Sequence, residues 1–210
     1  HPNSEVKRLK VWLVILCLHM KLGKFLLAAA LILGTTTPMM SAGFGRISVG
    51  YDAEFISSGK SQTFSGFSIK FMHGWGIVKS LPLYVDAGLR MNANFNTVGK
   101  GPEKANSTLL AVSLPFNLSY KQRVASGVSI QPYTGFNFKV NCLGKTTIDG
   151  IGQSWFSEPD SWKRFQMGWQ IGLGANISCF YLGLEYGIDF IKLHKDVSSS
   201  HVEVSLGYNF

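Results

Sequence analysis

His201, near the C-terminus, is one candidate in this sequence for acid–base chemistry, together with the residues that follow it. A histidine that activates a serine must lie within hydrogen-bonding distance of the serine hydroxyl group. Val202 and Glu203 follow His201, and the next serine, Ser205, is four residues on. Four residues of β-strand span about 13 Å, so His201 and Ser205 do not form such a pair. We therefore expect His201 to be a rim residue without a catalytic role.

Asp189, His194 and Asp196 form a second group with the residue types of a hydrolytic site. They fall in and beside a polar segment, where charged side chains are usually solvated. The cysteines and histidines lack the spacing of zinc ligands. The glycines of 172–176 are not followed by a helix, as a phosphate-binding loop would be. The sequence therefore predicts no enzyme, no metal site and no cofactor.

A larger set of charged residues occupies alternate positions of strand-like segments. It comprises four bases and six acids: Arg46, Asp52, Glu54, Lys70, Asp86, Arg90, Lys139, Glu185, Asp189 and Glu203. Inside a narrow barrel these charges must pair, because an unpaired buried charge is costly. The interior of an eight-stranded barrel is just wide enough for side chains. The preferred interpretation is a salt-bridged network that fills the lumen, and the alternative is a small polar conduit.

The elements that would position these charges are eight segments in which apolar and polar residues alternate, as on the two faces of a strand. They are 44–55, about 64–72, 83–96, 108–120, 128–140, about 164–178, 180–190 and 202–210. Short connections alternate with longer polar ones, chiefly 141–163, which is typical of outer-membrane proteins. We predict an all-β fold, an eight-stranded antiparallel up-and-down transmembrane β-barrel. Both termini would then be periplasmic, and the long loop 141–163 would be extracellular.

Alternation alone does not decide which face of the barrel points outward. A soluble lipocalin-like barrel would place its apolar face inside, around a ligand. Here the polar face is rich in Gly, Ser and Asn, and aromatic residues recur near the strand ends, as in the girdles of membrane barrels. Charged residues make up 15% of the chain, compared with about 25% in a typical soluble protein. These features favour an apolar face in contact with lipid.

The N-terminal part has the features of a secretory signal. Residues 20–42 combine a basic start, a short apolar core and small residues at the end, and the apolar core is shorter than the roughly 20 residues of a membrane-spanning helix. We interpret 1–19 as an upstream extension, 20–42 as the signal peptide and 43–210 as the barrel. Without residues 1–42 the chain keeps 15 basic and 11 acidic residues, a net charge of +4. The basic character thus gives no indication of nucleic-acid binding.

Several segments together resemble a known family. They are 81–89 (LPLYVDAGL), 114–120 (LPFNLSY), 131–138 (QPYTGFNF), 168–176 (GWQIGLGAN) and 181–187 (YLGLEYG). In this order they resemble the small outer-membrane β-barrel proteins of Bacteroidetes-type Gram-negative bacteria, which are OmpA- and OmpX-like or PorT-like. The resemblance implies location in the cell outer membrane. It also implies that Tyr208 and Phe210 belong to a C-terminal signal for the outer-membrane insertion machinery.

Two main hypotheses for function remain open. The first is a structural or surface-interaction barrel, monomeric and embedded in outer-membrane lipid, which binds an extracellular partner through Trp155, Phe156 and Trp162 of the long loop. The second is a narrow channel for ions or small solutes. An outer-membrane enzyme and a soluble lipocalin-like binder are more distant alternatives. A lumen plugged by side chains favours the first hypothesis over the second.

Overall fold

The computed structural model of the chain describes residues 41–58, 60–78, 80–99, 104–148, 150–156, 162–194 and 196–210. All regular elements within these ranges are β-strands. They are β1 (Ser41–Ser58), β2 (Lys60–Gly76), β3 (Leu83–Val98), β4 (Ala105–Tyr120), β5 (Gln122–Ala125), β6 (Val128–Ile148), β7 (Ile151–Ser154), β8 (Phe165–Ile177), β9 (Phe180–Asp189) and β10 (Ser198–Asn209). Over the same ranges, no helix is long and apolar enough to cross a membrane.

Eight of these strands form a closed antiparallel ring. Its order is β1, β2, β3, β4, β6, β8, β9 and β10, and β10 pairs with β1 from Arg46–Asn209 to Ser57–Ser198. The strands β5 and β7 are short additions that pair only with β6. The predicted all-β, eight-stranded up-and-down barrel is confirmed. The ring places β1 opposite β6 and β3 opposite β9, so long side chains can meet across the lumen.

The two faces of each strand differ sharply in chemistry. Apolar residues such as Val49, Phe67 and Leu184 are exposed on the outside, whereas the buried inward residues are mostly charged, amide or hydroxyl side chains. This arrangement places the polar side chains within the barrel and leaves an apolar wall for lipid. The lipocalin-like alternative is wrong, because that fold needs an apolar interior.

The two ends of the barrel differ in their connections. At one end, which we call the turn end, β2–β3, β4–β6 and β8–β9 are joined by 77–82, a hairpin ending at Gly127, and Ser178–Cys179. The opposite end, the loop end, carries the longer connections that follow β3, β7 and β9 and the short one between β1 and β2. Gly127 has a φ of 72°, a conformation that favours glycine.

The predicted loop 141–163 begins too early. Strand β6 continues to Ile148, and β7 then turns back to form a hairpin with it. A β-bulge causes the difference: Leu110 pairs with Leu143 and Ala111 with Asn141, so Cys142 is an extra residue. The bulge shifts the inward face by one residue, and the alternation read from the sequence therefore stops at Val140 although the strand does not.

The predicted upstream extension 1–19, and the signal peptide 20–42 except its last two residues, lie outside the described residues. Strand β1 begins at Ser41, two residues before the predicted start of the barrel at 43. Both N-terminal assignments therefore stay predictions.

Candidate functional site

Arg90 is the centre of the charged network in the lumen. It extends from β3 across the barrel, where Nη2 lies 2.5 Å from Asp52 Oδ1 and 3.0 Å from Glu203 Oε2. Its Nη1 lies 3.3 Å from Glu185 Oε1 on the opposite strand, β9. Arg90 is only 3% exposed and Glu203 is 0% exposed. The planar guanidinium group thus joins three strands through several donors at once.

Lys70 shares two of the carboxylates of Arg90. Its Nζ lies 2.6 Å from Glu203 Oε1 and 3.2 Å from Glu185 Oε2. Two neutral groups complete the cluster: Ser68 donates a hydrogen bond of 2.7 Å to Glu203, and Tyr133 donates one of 2.9 Å to Glu185. We refer to Asp52, Lys70, Arg90, Glu185 and Glu203 as the central cluster.

A second group of charges lies towards the loop end. Lys139 Nζ, on β6, lies 2.8 Å from Glu54 Oε1 on β1 and 2.6 Å from Asp189 Oδ2 on β9. Ser199 donates a hydrogen bond of 2.7 Å to the same Glu54 oxygen. Lys139 therefore bridges the lumen in the way that Arg90 does.

Arg46, towards the turn end, has a different environment. Among the described residues it makes no salt bridge, and its donors bond to the side-chain oxygens of Asn209, Gln131 and Asn176 at 2.8, 2.7 and 3.2 Å. Its guanidinium carbon lies 3.6 Å from the ring centroid of Tyr181, a cation–π contact. Asp86, the last of the ten charged residues, accepts a hydrogen bond of 3.2 Å from Gln131.

The structure places all ten of these charged residues inside the barrel, nearly or fully buried. Neutral residues, which were not among the predicted site residues, connect these charges. Ser68, Asn94, Gln131, Tyr133 and Asn176 all lie on the inward face of their strands, and Asn94 donates a hydrogen bond of 2.7 Å to Asp52. Their position in the alternating pattern, shared with the charged residues, is the signal that could have identified them.

The prediction that His201 is a rim residue is wrong. His201 is buried in the lumen, with Nε2 3.0 Å from Arg90 Nη1 and 3.4 Å from Glu185 Oε1. It lies two residues before Glu203 on β10, so both side chains are on the same face of the strand and point inward. The Asp189, His194 and Asp196 group is also divided: Asp189 is buried beside Lys139, whereas Asp196 is exposed.

An apolar layer closes the lumen at the loop end. We call it the loop-end plug; it consists of Ile56, Phe64, Leu109, Leu193 and Val197, with Trp155 and Trp162 packed against them. Leu193 and Val197 belong to the connection after β9, which folds back because Leu193 N donates to Val197 O at 2.9 Å and Val197 N donates to His194 O at 3.1 Å. The plug separates the charged lumen from solvent at this end.

The predicted contact residues of the long loop lie beside this plug. The ring centroids of Trp155 and Phe64 are 5.8 Å apart, and the two rings are perpendicular. The ring centroids of Trp155 and Trp162 are 4.5 Å apart. Trp155 also donates a hydrogen bond of 2.8 Å to Thr146. Phe156 is half-buried, and the guanidinium carbon of Arg164 lies 4.6 Å from its ring centroid.

Tyr208 and Phe210, the predicted assembly residues, both point outward at the turn end. Phe210 is 77% exposed. Its backbone is nevertheless paired with β1, because its N–H group donates to Gly45 O at 2.9 Å and its carbonyl accepts from Gly45 N at 2.8 Å. The two rings therefore extend the apolar outer wall to the rim.

The space among the charged side chains of the lumen is small, whereas a cavity of about 520 Å³ opens at the turn end beside the inward-facing residues Tyr84, Ser129 and Asn176. A cavity of about 20 Å³ lies among Arg46, Lys70, Asp86, Tyr133 and Tyr181, which is room for about one water molecule. The described residues contain no group of three His, Cys, Asp or Glu side chains placed to bind a metal ion. Charged and neutral polar side chains together occupy the middle of the barrel.

A closed barrel with an apolar outer wall and a charge-paired interior belongs to the class of integral outer-membrane β-barrels. The family described as "Outer membrane protein beta-barrel domain" matches residues 26–210, and the chain belongs to this family. Membership implies the outer membrane of a Gram-negative bacterium. The resemblance found in the sequence is thus confirmed for outer-membrane barrels in general.

Solved structures of low sequence identity have a similar fold. Ail, the attachment invasion locus protein of Yersinia pestis, has 17% identity and a TM-score of 0.53, with 81% of this chain and 100% of that chain covered. Ail in complex with the heparin analogue sucrose octasulfate has 18% identity and a TM-score of 0.54, with the same coverage of both chains. Neisserial surface protein A has 16% identity and a TM-score of 0.49, with 81% of this chain and 99% of that chain covered. No curated protein matches the sequence.

Proposed function

We propose that this chain is a structural barrel with a closed lumen, which presents its loop end at the surface of a Gram-negative cell. The filled lumen is the observation that carries this proposal. Arg90 and Lys139 reach across the barrel to carboxylates on opposite strands, and the loop-end plug covers them. A barrel that is closed in this way can anchor and display loops, but it has no continuous path for solutes.

The alternative of a narrow channel has weaker support. Ions would have to displace Arg90 from three carboxylates, and breaking a buried ion pair costs about 3–5 kcal/mol. An enzymatic function also lacks support, since His201 and Ser205 are buried inside the barrel and a substrate cannot reach them. We therefore propose no catalytic residues.

Planar-bilayer recording of the purified barrel tests the closed lumen. We expect no discrete conductance steps, even at high salt concentration. The variant Phe64→Ala Trp155→Ala should also be silent, because the central cluster remains beneath the weakened plug. Reproducible single-channel steps from the unaltered protein would support the channel instead.

The β6–β7 hairpin is the best candidate for an extracellular contact. Ile151 at its tip is 77% exposed, and Trp155, Phe156 and Trp162 lie at its base. An exposed apolar side chain on a protruding hairpin suits a protein partner. We propose that Ile151 makes the direct contact, and that the aromatic residues hold the hairpin and contribute their exposed edges.

Cysteine labelling tests which end of the barrel is outside. In a background with Cys142 and Cys179 replaced by serine, Ile151→Cys should react with a membrane-impermeant maleimide on intact cells. Ser126→Cys, in the hairpin at the turn end, should react only after the outer membrane is permeabilised. The reverse pattern would place the turn end outside and remove the hairpin as a surface contact.

Tyr208 and Phe210 extend the apolar wall at the end of β10, which supports their role in a signal for the insertion machinery. We also propose a monomer, and a source among Bacteroidetes-type bacteria on the strength of the sequence resemblance. Replacing both Tyr208 and Phe210 with serine should reduce the amount of heat-modifiable barrel in the outer membrane.

A further inference from the structure

The middle of the lumen contains a compact triangle of polar atoms from three strands. Its corners are Nη1 of Arg90 on β3, Oε1 of Glu185 on β9 and Nε2 of His201 on β10. Nη1 lies 3.0 Å from Nε2 and 3.3 Å from Oε1, and Nε2 lies 3.4 Å from Oε1. The three side chains are buried. One nitrogen atom of His201 therefore faces a donor and an acceptor at the same time.

The contact with Arg90 defines the protonation form of His201 in this arrangement. An arginine side chain carries only donors and keeps its charge, so Nε2 must be the acceptor in the 3.0 Å contact. The ring is then neutral, with its proton on Nδ1. A proton added to Nε2 would bring two cations together at this contact. The new N–H group would have the carboxylate of Glu185 within reach.

The charges around His201 leave room for one more cation. The central cluster holds three carboxylates and two bases, so a proton on His201 would make its charges equal. Glu54 lies directly across from His201 on β1 and shares Lys139 with Asp189, which makes a second group with one carboxylate in excess. The charged side chains that line this part of the lumen are Asp52 and Glu54 on β1, Lys70 on β2, Arg90 on β3, Lys139 on β6, Glu185 and Asp189 on β9 and Glu203 on β10.

Strand β9 provides the space for the imidazole ring. Gly187 is the cross-strand partner of His201, and a Cβ atom on Gly187 would overlap the ring. Because glycine has no side chain, the ring lies against the backbone of β9 and stays within reach of both Arg90 and Glu185.

We propose that His201 is a proton-operated switch within the central cluster. Its Nε2 accepts a hydrogen bond from Arg90 when the ring is neutral, and it donates one to Glu185 when the ring has taken up a proton from solvent. The lone pair of Nε2 forms the new N–H bond, and no other covalent bond changes. Arg90 keeps Asp52 and Glu203 through Nη2, so only its Nη1 side loses a partner.

The switch makes the charge of the lumen depend on the acidity of the surrounding medium. Histidine is the side chain whose charge ordinarily changes between about pH 5 and 8. A proton reaches the buried ring through local openings, which folded proteins undergo without global unfolding.

Nitrogen NMR of the full barrel in micelles, with isotope-labelled histidine and arginine, tests the switch. At about pH 8 we expect His201 to show a protonated Nδ1 and an unprotonated Nε2, and at about pH 5 we expect both nitrogens to be protonated. The Nη1 resonance of Arg90 should shift over the same range, because one of its partners changes.

His201→Gln is the variant that separates the switch from other titrations. A glutamine amide carries both an acceptor and a donor, so it can serve Arg90 and Glu185 together without taking up a proton. We expect the pH-dependent shift of Arg90 to be lost in this variant. His73→Gln, near the turn end of β2 where His73 packs on Trp75, is the matched control and should retain the shift. Heat-modifiable gel mobility verifies that each variant is folded.

Three results would overturn the proposal. One is a His201 ring with a protonated Nε2 at about pH 8, and another is an Arg90 resonance that does not move in the unaltered protein. The third is a shift of Arg90 that persists in His201→Gln, which would assign it to a carboxylate. These readouts are independent of conductance and cysteine labelling, so a failure here is distinguishable from a failure of the proposed function.

Discussion

The central cluster and the loop-end plug fill the same lumen with opposite chemistry. In the central cluster, Arg90 and Lys70 share Glu185 and Glu203, and every member is nearly or fully buried. In the plug, Phe64, Leu109 and Leu193 belong to one buried apolar cluster. The central cluster lies in the middle of the barrel, and the apolar plug lies at its loop end.

This difference shows how the barrel keeps buried charges stable. An ion pair within the lumen is strong only when water is excluded and both charges keep their partners. The plug excludes water at the loop end, and the rings of Phe44 and Tyr181 pack around Arg46 towards the turn end. The apolar layer therefore supports the charged layer, although the two have no residues in common.

The largest expected effect comes from breaking the central cluster. Arg90→Met keeps much of the side-chain volume but leaves Asp52, Glu185 and Glu203 short of one cation. We expect a loss of about 3–5 kcal/mol in the free energy of unfolding, measured by urea titration of the barrel in micelles. Lys192→Met, at an exposed loop position, is the control and should change stability little. A loss as small as that of the control would mean that the cluster is not a stabilising element.

A smaller but still large effect is expected in the plug. Phe64→Ala removes a buried ring that packs on Trp155 and should cost about 3 kcal/mol. Because Trp155 then gains contact with water, its fluorescence emission should shift to longer wavelength. Phe67→Ala, on the outward face of the same strand, is the matched control and should leave the emission unchanged. An unchanged spectrum in Phe64→Ala would contradict the packing of the plug.

The smallest effect tests a single neutral contact of the central cluster. Tyr133→Phe removes the hydrogen bond to Glu185 while it keeps the ring, which packs against Gly172 so closely that a Cβ atom there would overlap it. We expect a loss of about 1.5 kcal/mol, as is usual for a hydrogen bond to a charged group. Tyr51→Phe, on the lipid-facing side, should have no effect of this size. A loss as large as that of Arg90→Met would mean that the hydroxyl group, rather than the guanidinium, organises the cluster.

Much of the fold could be predicted because the strand period is a local property. The predicted start of the third segment at Leu83 agrees with β3, and the predicted seventh segment exceeds β9 by one residue. The end of β6 could not be predicted, since the bulge at Cys142 depends on pairing with β4. The site was accessible in part: alternation predicts that the charged residues face the lumen, but it does not predict that His201, Gln131 and Tyr133 join their network.

By itself, the sequence determined the alternating strands, the chemistry of their two faces and the set of charges that require partners. Only the tertiary structure decided which partners those charges have. Arg90 meets Glu185, and Lys139 meets Glu54, across a ring of eight strands, and the residues of each pair are more than 80 positions apart in the chain. Alternation assigns a side chain to a face of its strand. Closure of the ring brings the inward faces of opposite strands within hydrogen-bonding distance of each other.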